Sequence, residues 1–275
     1  MIKKKIGIVG YGYVGRAMFK FFERHYDVIF HDPHVDGSSS VEEINLCDLA
    51  VVCVPTPTFI DGECAGHCDT SIVEHSLAWI ETPLILLKST VPVGFTDRMR
   101  VALDKRIVFS PEYCGESSYW TPYKFHADIK ETPFFIFGGH HRDTSAMVDY
   151  FLPVTGPVKT YRQTTARAAE LAKYMENSFY ATKIAFCYEF AEIANTLLVD
   201  FNEVRELWLL DPRINPMHTA VFHQNQRPFS GKCLPKDLAA ICERSEENGY
   251  DPKLLREVQN TNERIAGIRA VRGIK

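Results

Sequence analysis

No stretch of this 275-residue chain approaches the roughly 20 consecutive apolar residues of a membrane span, which excludes a helical membrane protein. Basic runs are as scarce. Met1-Ile-Lys-Lys-Lys is the only one, and 31 Lys plus Arg against 35 Asp plus Glu leave a net charge of −4, so no broad nucleic-acid surface is expected. The same N-terminus does not read as a secretion signal, because Gly10, Gly12, Gly15 and Arg16 interrupt it before an apolar core of about 7–15 residues is complete. Internal repeats, low-complexity tracts and linkers are lacking, which excludes a solenoid or a tethered array. Eight cysteines, at 47, 53, 64, 68, 114, 187, 233 and 242, form no compact framework, so they are expected to be reduced thiols of a cytoplasmic protein.

What the chain does have is core-forming material. Hydrophobic residues make up 45% and charged residues 24%, the balance of a folded globular protein, and the length suits two domains. Ile6–Val9 and Asp27–His31 read as strands, and Val14, Ala17, Met18, Phe21 and Phe22 fall at helical spacing between them, making one βαβ unit. Further apolar runs at 49–54, 84–87, 107–110 and 134–137 bring the count to about six strands. The pattern predicts an α/β fold with a doubly wound, Rossmann-like parallel sheet over residues 1–160. From Thr165 to about Val199 there is no Gly or Pro, and Ala, Leu, Glu, Lys and Phe dominate. One long central helix of about 50 Å is expected there, within an all-helical domain over 161–275 that bridges domains or subunits.

Gly10-Tyr-Gly-Tyr-Val-Gly15 follows the first strand and opens the first helix, the context that a dinucleotide fingerprint requires. Gly10 permits the tight turn, Gly12 the close approach of a pyrophosphate, and Gly15 the packing of helix on strand, with Tyr13 and Val14 beside the phosphates. Asp32 ends the second strand, where its carboxylate can accept hydrogen bonds from the adenosine ribose. It favours NAD over NADP.

Cys233, in Ser230-Gly-Lys-Cys-Leu-Pro-Lys-Asp237, precedes a proline suited to a helix start, where the positive helix end lowers a thiol's pKa and makes it a nucleophile. Asp237 either partners the sulfur or only complements the helix dipole. Lys173 and Asn177 are four apart on one helix face and can bind an oxyanion, or can be surface decoration. Thr90, in Lys88-Ser-Thr-Val-Pro, and Glu112 with Glu116, in Ser110-Pro-Glu-Tyr-Cys-Gly-Glu116, sit at strand-end positions where doubly wound sheets bind ligands. Cys64-Ala-Gly-His-Cys68 does not match a standard zinc spacing, so no metal is expected.

Together these segments resemble the nucleotide-sugar dehydrogenase family, that of UDP-glucose 6-dehydrogenase and UDP-N-acetylmannosamine dehydrogenase. The motifs run in order: Gly10–Gly15, Val54-Pro-Thr-Pro-Thr58, Lys88-Ser-Thr-Val-Pro-Val-Gly94, Pro111-Glu-Tyr, Glu170-Leu-Ala-Lys-Tyr-Met-Glu-Asn177 with Ala181-Thr-Lys-Ile-Ala-Phe186, and Cys233-Leu-Pro-Lys-Asp237. The resemblance implies oxidation of a sugar C6 alcohol to a carboxylate by two NAD, through a thiohemiacetal and thioester on Cys233. It places Pro55, Thr56, Thr90 and Glu116 with the cofactor. Lys173 and Asn177 stabilise the oxyanion, Asp237 and Thr90 hold a water or proton relay, and Glu112 activates the hydrolytic water. Glu116, Lys173 and Gly231 contact substrate, and Arg213 reaches the substrate of the neighbouring subunit, in keeping with a homodimer built on the long helix.

Relatives carry a third α/β domain that grips the nucleotide, and this chain is expected to lack it. Three readings follow: an enzyme acting alone on a nucleotide sugar or smaller sugar, a partial enzyme completed by a separate substrate-binding chain, or an NAD-binding pseudoenzyme. Retention of all the implied catalytic residues favours the first. A two-electron hydroxyacid dehydrogenase is the remaining alternative, and it would not need Cys233.

Overall fold

The computed structural model describes residues 3–58, 67–115, 123–221, 229 and 233–267. They form two compact units. One holds the described residues up to Pro57 and from Cys68 to Lys173, and the other those from Tyr174 onward with Thr58 and His67.

The first unit is built on a seven-stranded sheet: β1 (Lys5–Val9), β2 (Asp27–His31), β3 (Leu49–Val52), β4 (Ile85–Leu87), β5 (Ile107–Phe109), β6 (Phe134–Gly138) and β7 (Thr160–Thr164), in the order β2-β1-β3-β4-β5-β6-β7. The first five strands are mutually parallel, and β3, β4 and β5 are entirely apolar and buried, as strands covered on both faces must be. On one face Met18, Phe21 and Phe22 of α1 (Tyr13–Phe22) meet Met147 and Phe151 of α5 (His141–Thr155). On the other, Ile44 of α2 (Val41–Asn45), Val73 and Leu77 of α3 (Ser71–Trp79) and Phe95 and Met99 of α4 (Phe95–Leu103) share a second core.

The sheet departs from an all-parallel one at a single junction. β6 pairs antiparallel to β5, with Phe109 opposite Gly138, and β7 then runs parallel to β6. Among the described residues the β5–β6 connection carries only two short 3-10 turns, with no helical crossover of the kind that usually returns a chain to a parallel neighbour. β7 itself, Thr-Tyr-Arg-Gln-Thr, is a polar edge strand without the apolar run by which the other strands announce themselves.

Helix α6 (Ala166–Thr196) is a single unbroken helix of 31 residues. Its first turns belong to the sheet unit, where Glu170 is fully buried and its carboxylate accepts the backbone N–H groups of Gly94 at 2.6 Å and Thr96 at 2.9 Å. The cap of α4, whose own Gly94 N-cap has no side chain to offer, is thus supplied from another helix. Burial pushes the Glu170 carboxyl above its usual range, against the bonds from Thr96 and Gly94 that favour its charged form. Glu170→Ala is expected to lower unfolding free energy by about 2–4 kcal/mol in denaturant titration, since two backbone donors, one of them buried, lose a carboxylate acceptor.

In the second unit no strand occurs among the described residues. α6 from Tyr174, α7 (Phe201–Trp208), α8 (Leu234–Glu247) and α9 (Lys253–Ile265) pack through two small cores. Ala181 and Ala185 of α6 meet Leu238 and Cys242 of α8 and Val258 of α9, and Cys187, Tyr188 and Ala191 meet Val221, Phe201 and Trp208. α8 begins at Leu234, with Cys233 as its N-cap.

Candidate dinucleotide site and catalytic residues

Three glycines shape the turn after β1, each for a separate steric reason. Gly10 has φ +87°, and a Cβ there would lie 2.9 Å from the backbone of Cys53 and Val54. At Gly15 a Cβ would stand 2.0 Å from the Gly10 carbonyl oxygen. Gly12, the N-cap of α1, meets nothing within 4 Å, so the helix end opens onto free space that a side chain would occupy. An open, cationic helix N-terminus of this kind accepts a pyrophosphate. Tyr13 is exposed and its hydroxyl donates to the Gly115 carbonyl at 2.5 Å, while Val14 packs on the core.

Asp32 follows β2 and accepts the N–H of Tyr11 at 2.8 Å and of His34 at 3.0 Å. Partial burial raises its carboxyl, but the donors from Tyr11 and His34 outweigh that and hold it below the usual range. It is an ionised group beside the glycine turn. Pro55 and Thr56 follow β3, Thr90 follows β4 and Glu112 follows β5, so all lie past the carboxyl ends of parallel strands. The strand order reverses between β1 and β3, the place where open α/β sheets bind ligands.

Glu112 sits in a dense set of donors. Its Oε1 accepts the N–H groups of Tyr113 at 2.8 Å and Cys114 at 2.6 Å, and its Oε2 lies 3.0 Å from the ammonium of Lys88, which is 6% exposed. Lys173 of α6 holds its ammonium 5.1 Å over the Tyr113 ring, one residue from Glu112. Glu116 lies outside the described residues.

In the second unit Cys233 is the exposed N-cap of α8, with Pro235 in the first turn. Asp237, also in that turn, is 1% exposed and accepts the Asn177 amide at 2.5 Å through Oδ2, with the Lys236 ammonium 2.8 Å from Oδ1. Asn177 is itself buried. Burial raises the Cys187 and Cys242 thiols to about 11, which leaves them as inert core residues. Arg213 is exposed and held in a two-pronged pair by Asp211, Nε to Oδ1 at 3.0 Å and Nη2 to Oδ2 at 2.6 Å. Its loop is tied down by Lys183, which donates to the Asn215 carbonyl. Gly231 and Cys64 lie outside the described residues; His67 pairs with Glu243, and the Cys68 thiol points to the Thr90 carbonyl at 3.9 Å.

Two contacts escaped the sequence reading. The Asn177–Asp237 bond joins residues 60 apart in sequence, where spacing says nothing. Lys88 left a signal, because a lysine that closes the apolar run Leu84–Leu87 must find an acidic partner if it is buried.

The fold and these residues define a Rossmann-like α/β unit joined to a helical unit. Residues 167–264 match the central domain of the UDP-glucose/GDP-mannose dehydrogenase family. It is 29% identical to the UDP-glucose 6-dehydrogenase TuaD of Bacillus subtilis over 80% of this chain and 47% of that one. It is 25% identical to the UDP-N-acetyl-D-mannosamine dehydrogenase of Methanococcus maripaludis over 95% of this chain and 66% of that one. The solved UDP-glucose dehydrogenase from the archaeon Pyrobaculum islandicum superposes with a TM-score of 0.78 at 24% identity, covering 96% of this chain and 68% of that one. The chain thus spans about half to two thirds of the length of these relatives.

Proposed function

We propose that this protein oxidises the C6 alcohol of a nucleotide sugar to a carboxylate, with NAD as acceptor and Cys233 as nucleophile. The observation that carries the reading is the start of α8: an exposed thiol at the helix N-cap, four residues before a buried Asp237 that is bonded to Asn177. A helix N-terminus favours negative charge on that sulfur. The open glycine turn and the ionised Asp32 fit a dinucleotide, with the pyrophosphate at Gly12 and the ribose hydroxyls at Asp32. Bound there, NAD supplies a hydride acceptor, twice per sugar.

The chain's own residues account for the remaining steps. As the first hydride leaves the alcohol carbon, the hydroxyl proton passes to water at Asp237. The Cys233 sulfur then bonds to the aldehyde carbon and its proton goes to the oxygen, giving a thiohemiacetal. Loss of the second hydride and of that hydroxyl proton leaves a thioester. Water adds to it, Glu112 takes a proton from the water, the carbon–sulfur bond breaks, and Cys233 regains its proton as the acid departs. Lys173 and Asn177 stabilise the oxyanions on either side of the thioester. Glu116, Lys173 and Gly231 bind substrate, and Arg213 serves a neighbouring subunit.

We also propose a homodimer formed through α6. Met175, Phe179, Phe186, Phe190, Ile193 and Leu197 are 74, 62, 49, 42, 42 and 67% exposed, and their spacing of three, four or seven residues sets them along one face.

The test is NADH absorbance with a panel of UDP- and GDP-sugars. Two NADH per alcohol and a carboxylate product are expected. One NADH per alcohol would point instead to a two-electron hydroxyacid dehydrogenase, and NAD binding without turnover to a pseudoenzyme. Turnover only after a separate nucleotide-binding polypeptide is added would identify a partial enzyme.

A further inference from the structure

We propose that Tyr13 is a positioning residue for the dinucleotide: its hydroxyl latches the segment that follows β5 to the start of α1, making that segment the second wall of the slot that receives the pyrophosphate. The inference rests on the reading of the glycine turn as the NAD site. Tyr13 is the first residue of α1, next to the open N-cap Gly12, and it is 41% exposed. Water satisfies the hydroxyl of an exposed tyrosine. This one donates instead to the Gly115 carbonyl at 2.5 Å, across 102 positions of sequence.

The far side of the latch is built to hold that carbonyl still. The Gly115 N–H donates to the His126 carbonyl at 2.9 Å, which closes the segment on itself, and the Cys114 thiol reaches the same carbonyl at 3.3 Å. A Cβ at Gly115 would lie 1.6 Å from the His126 ring, so the ring keeps its place only over a glycine. Both flanks are seated on the core that α1 shares. Cys114 packs against it, and Ile129, in the 3-10 turn Ile129–Glu131, is 4% exposed in the same cluster as Met18, Phe21 and Phe22. Tyr13 thus joins two parts that are each fixed at the base. Gly12 keeps the space at the helix end clear, since a Cβ there meets nothing within 4 Å. A diphosphate entering that space meets the positive end of α1 with the facing segment already ordered, and ordering before binding raises affinity.

Hydrogen exchange of the free protein tests the latch without cofactor. Tyr13→Phe keeps the ring and removes the donor, so peptides containing Gly115 and His126 should exchange roughly 3–10-fold faster, the effect of one lost hydrogen bond. Gly115→Ala should do the same by displacing the His126 ring, and adding His126→Ala, which leaves the backbone carbonyl in place, should restore slow exchange. Calorimetry then reads the slot. In Tyr13→Phe, NAD and ADP-ribose should each bind roughly 3–10-fold more weakly, while adenosine, which reaches Asp32 but carries no pyrophosphate, should bind as it does to wild type. Wild-type exchange in Tyr13→Phe, or fast exchange that persists when Gly115→Ala and His126→Ala are combined, overturns the latch. Equal weakening of adenosine, or unchanged affinity for NAD and ADP-ribose, overturns its part in seating the pyrophosphate. If exchange changes as expected but wild type binds neither NAD nor ADP-ribose, the dinucleotide reading has failed and takes the positioning role with it, while the latch itself stands.

Discussion

Cys233→Ser is expected to abolish acid formation, with no more than one NADH released per alcohol and the rate of carboxylate production down by at least about 10³-fold, or roughly 4 kcal/mol of barrier. The size follows from what sulfur does in the proposed sequence. A serine hydroxyl at the same helix N-cap is not appreciably ionised near neutral pH, and the N-terminus of α8 alone supplies no base to activate it. Asp237 is poorly placed for that part, because it is 1% exposed, its Oδ2 accepts the Asn177 amide and its Oδ1 faces the Lys236 ammonium at 2.8 Å. NAD affinity should be unchanged, since the glycine turn and Asp32 belong to the other unit. Mass spectrometry of the wild type quenched during turnover should show the sugar acyl group on a peptide containing Cys233. A full yield of carboxylate from the serine variant would remove the thioester route and leave a reaction needing no covalent step.

The parts of this protein that the sequence displays are those whose chemistry admits few residue types. Gly10 is legible because a φ of +87° against the Cys53 backbone tolerates no Cβ, and Gly15 because its neighbour is a carbonyl oxygen at contact distance. The unbroken α6 is legible because neither glycine nor proline interrupts it. Strand direction is not written in this way. The period-two and apolar-run signals of Phe134–Gly138 are the same whether the strand runs with β5 or against it, so the reversal at β6 shows only in the pairing. β7 is hidden for the opposite reason, because an edge strand with polar residues on both faces has no hydrophobic pattern to read. In the proposed catalytic set, Cys233 and Asp237 are found by their local spacing. The partners that give them meaning, Asn177 for Asp237 and Lys88 for Glu112, come from elsewhere in the chain. Tertiary pairing of charged and amide groups follows from burial, and burial at Lys88 is visible in sequence only as a lysine at the end of an apolar strand.

The paired change Phe179→Asp with Phe186→Asp is expected to convert the proposed dimer, at twice 31.3 kDa, to a monomer of 31.3 kDa by light scattering. These two side chains are 62% and 49% exposed on α6, so neither supports the core built from Ala181, Ala185 and Leu238, and the variant should fold. Burying a phenylalanine at an interface contributes about 1.5–3 kcal/mol. Losing two side chains on each protomer, four in all, with a carboxylate put in place of each, should weaken association by at least about 10⁴-fold. If Arg213 acts on a neighbouring subunit's substrate, the monomer should lose sugar oxidation while retaining NAD binding, and Arg213→Ala in the dimer should raise KM with a smaller effect on kcat. The Asp211 pair gives this a further edge, since an arginine already held by a carboxylate at 2.6 Å must exchange that partner for the anionic part of a substrate. Asp211→Asn would then tighten substrate binding in the dimer and do nothing in the monomer. A dimeric double variant would show that α6 is not the interface, and a fully active monomer would confine Arg213 to its own chain.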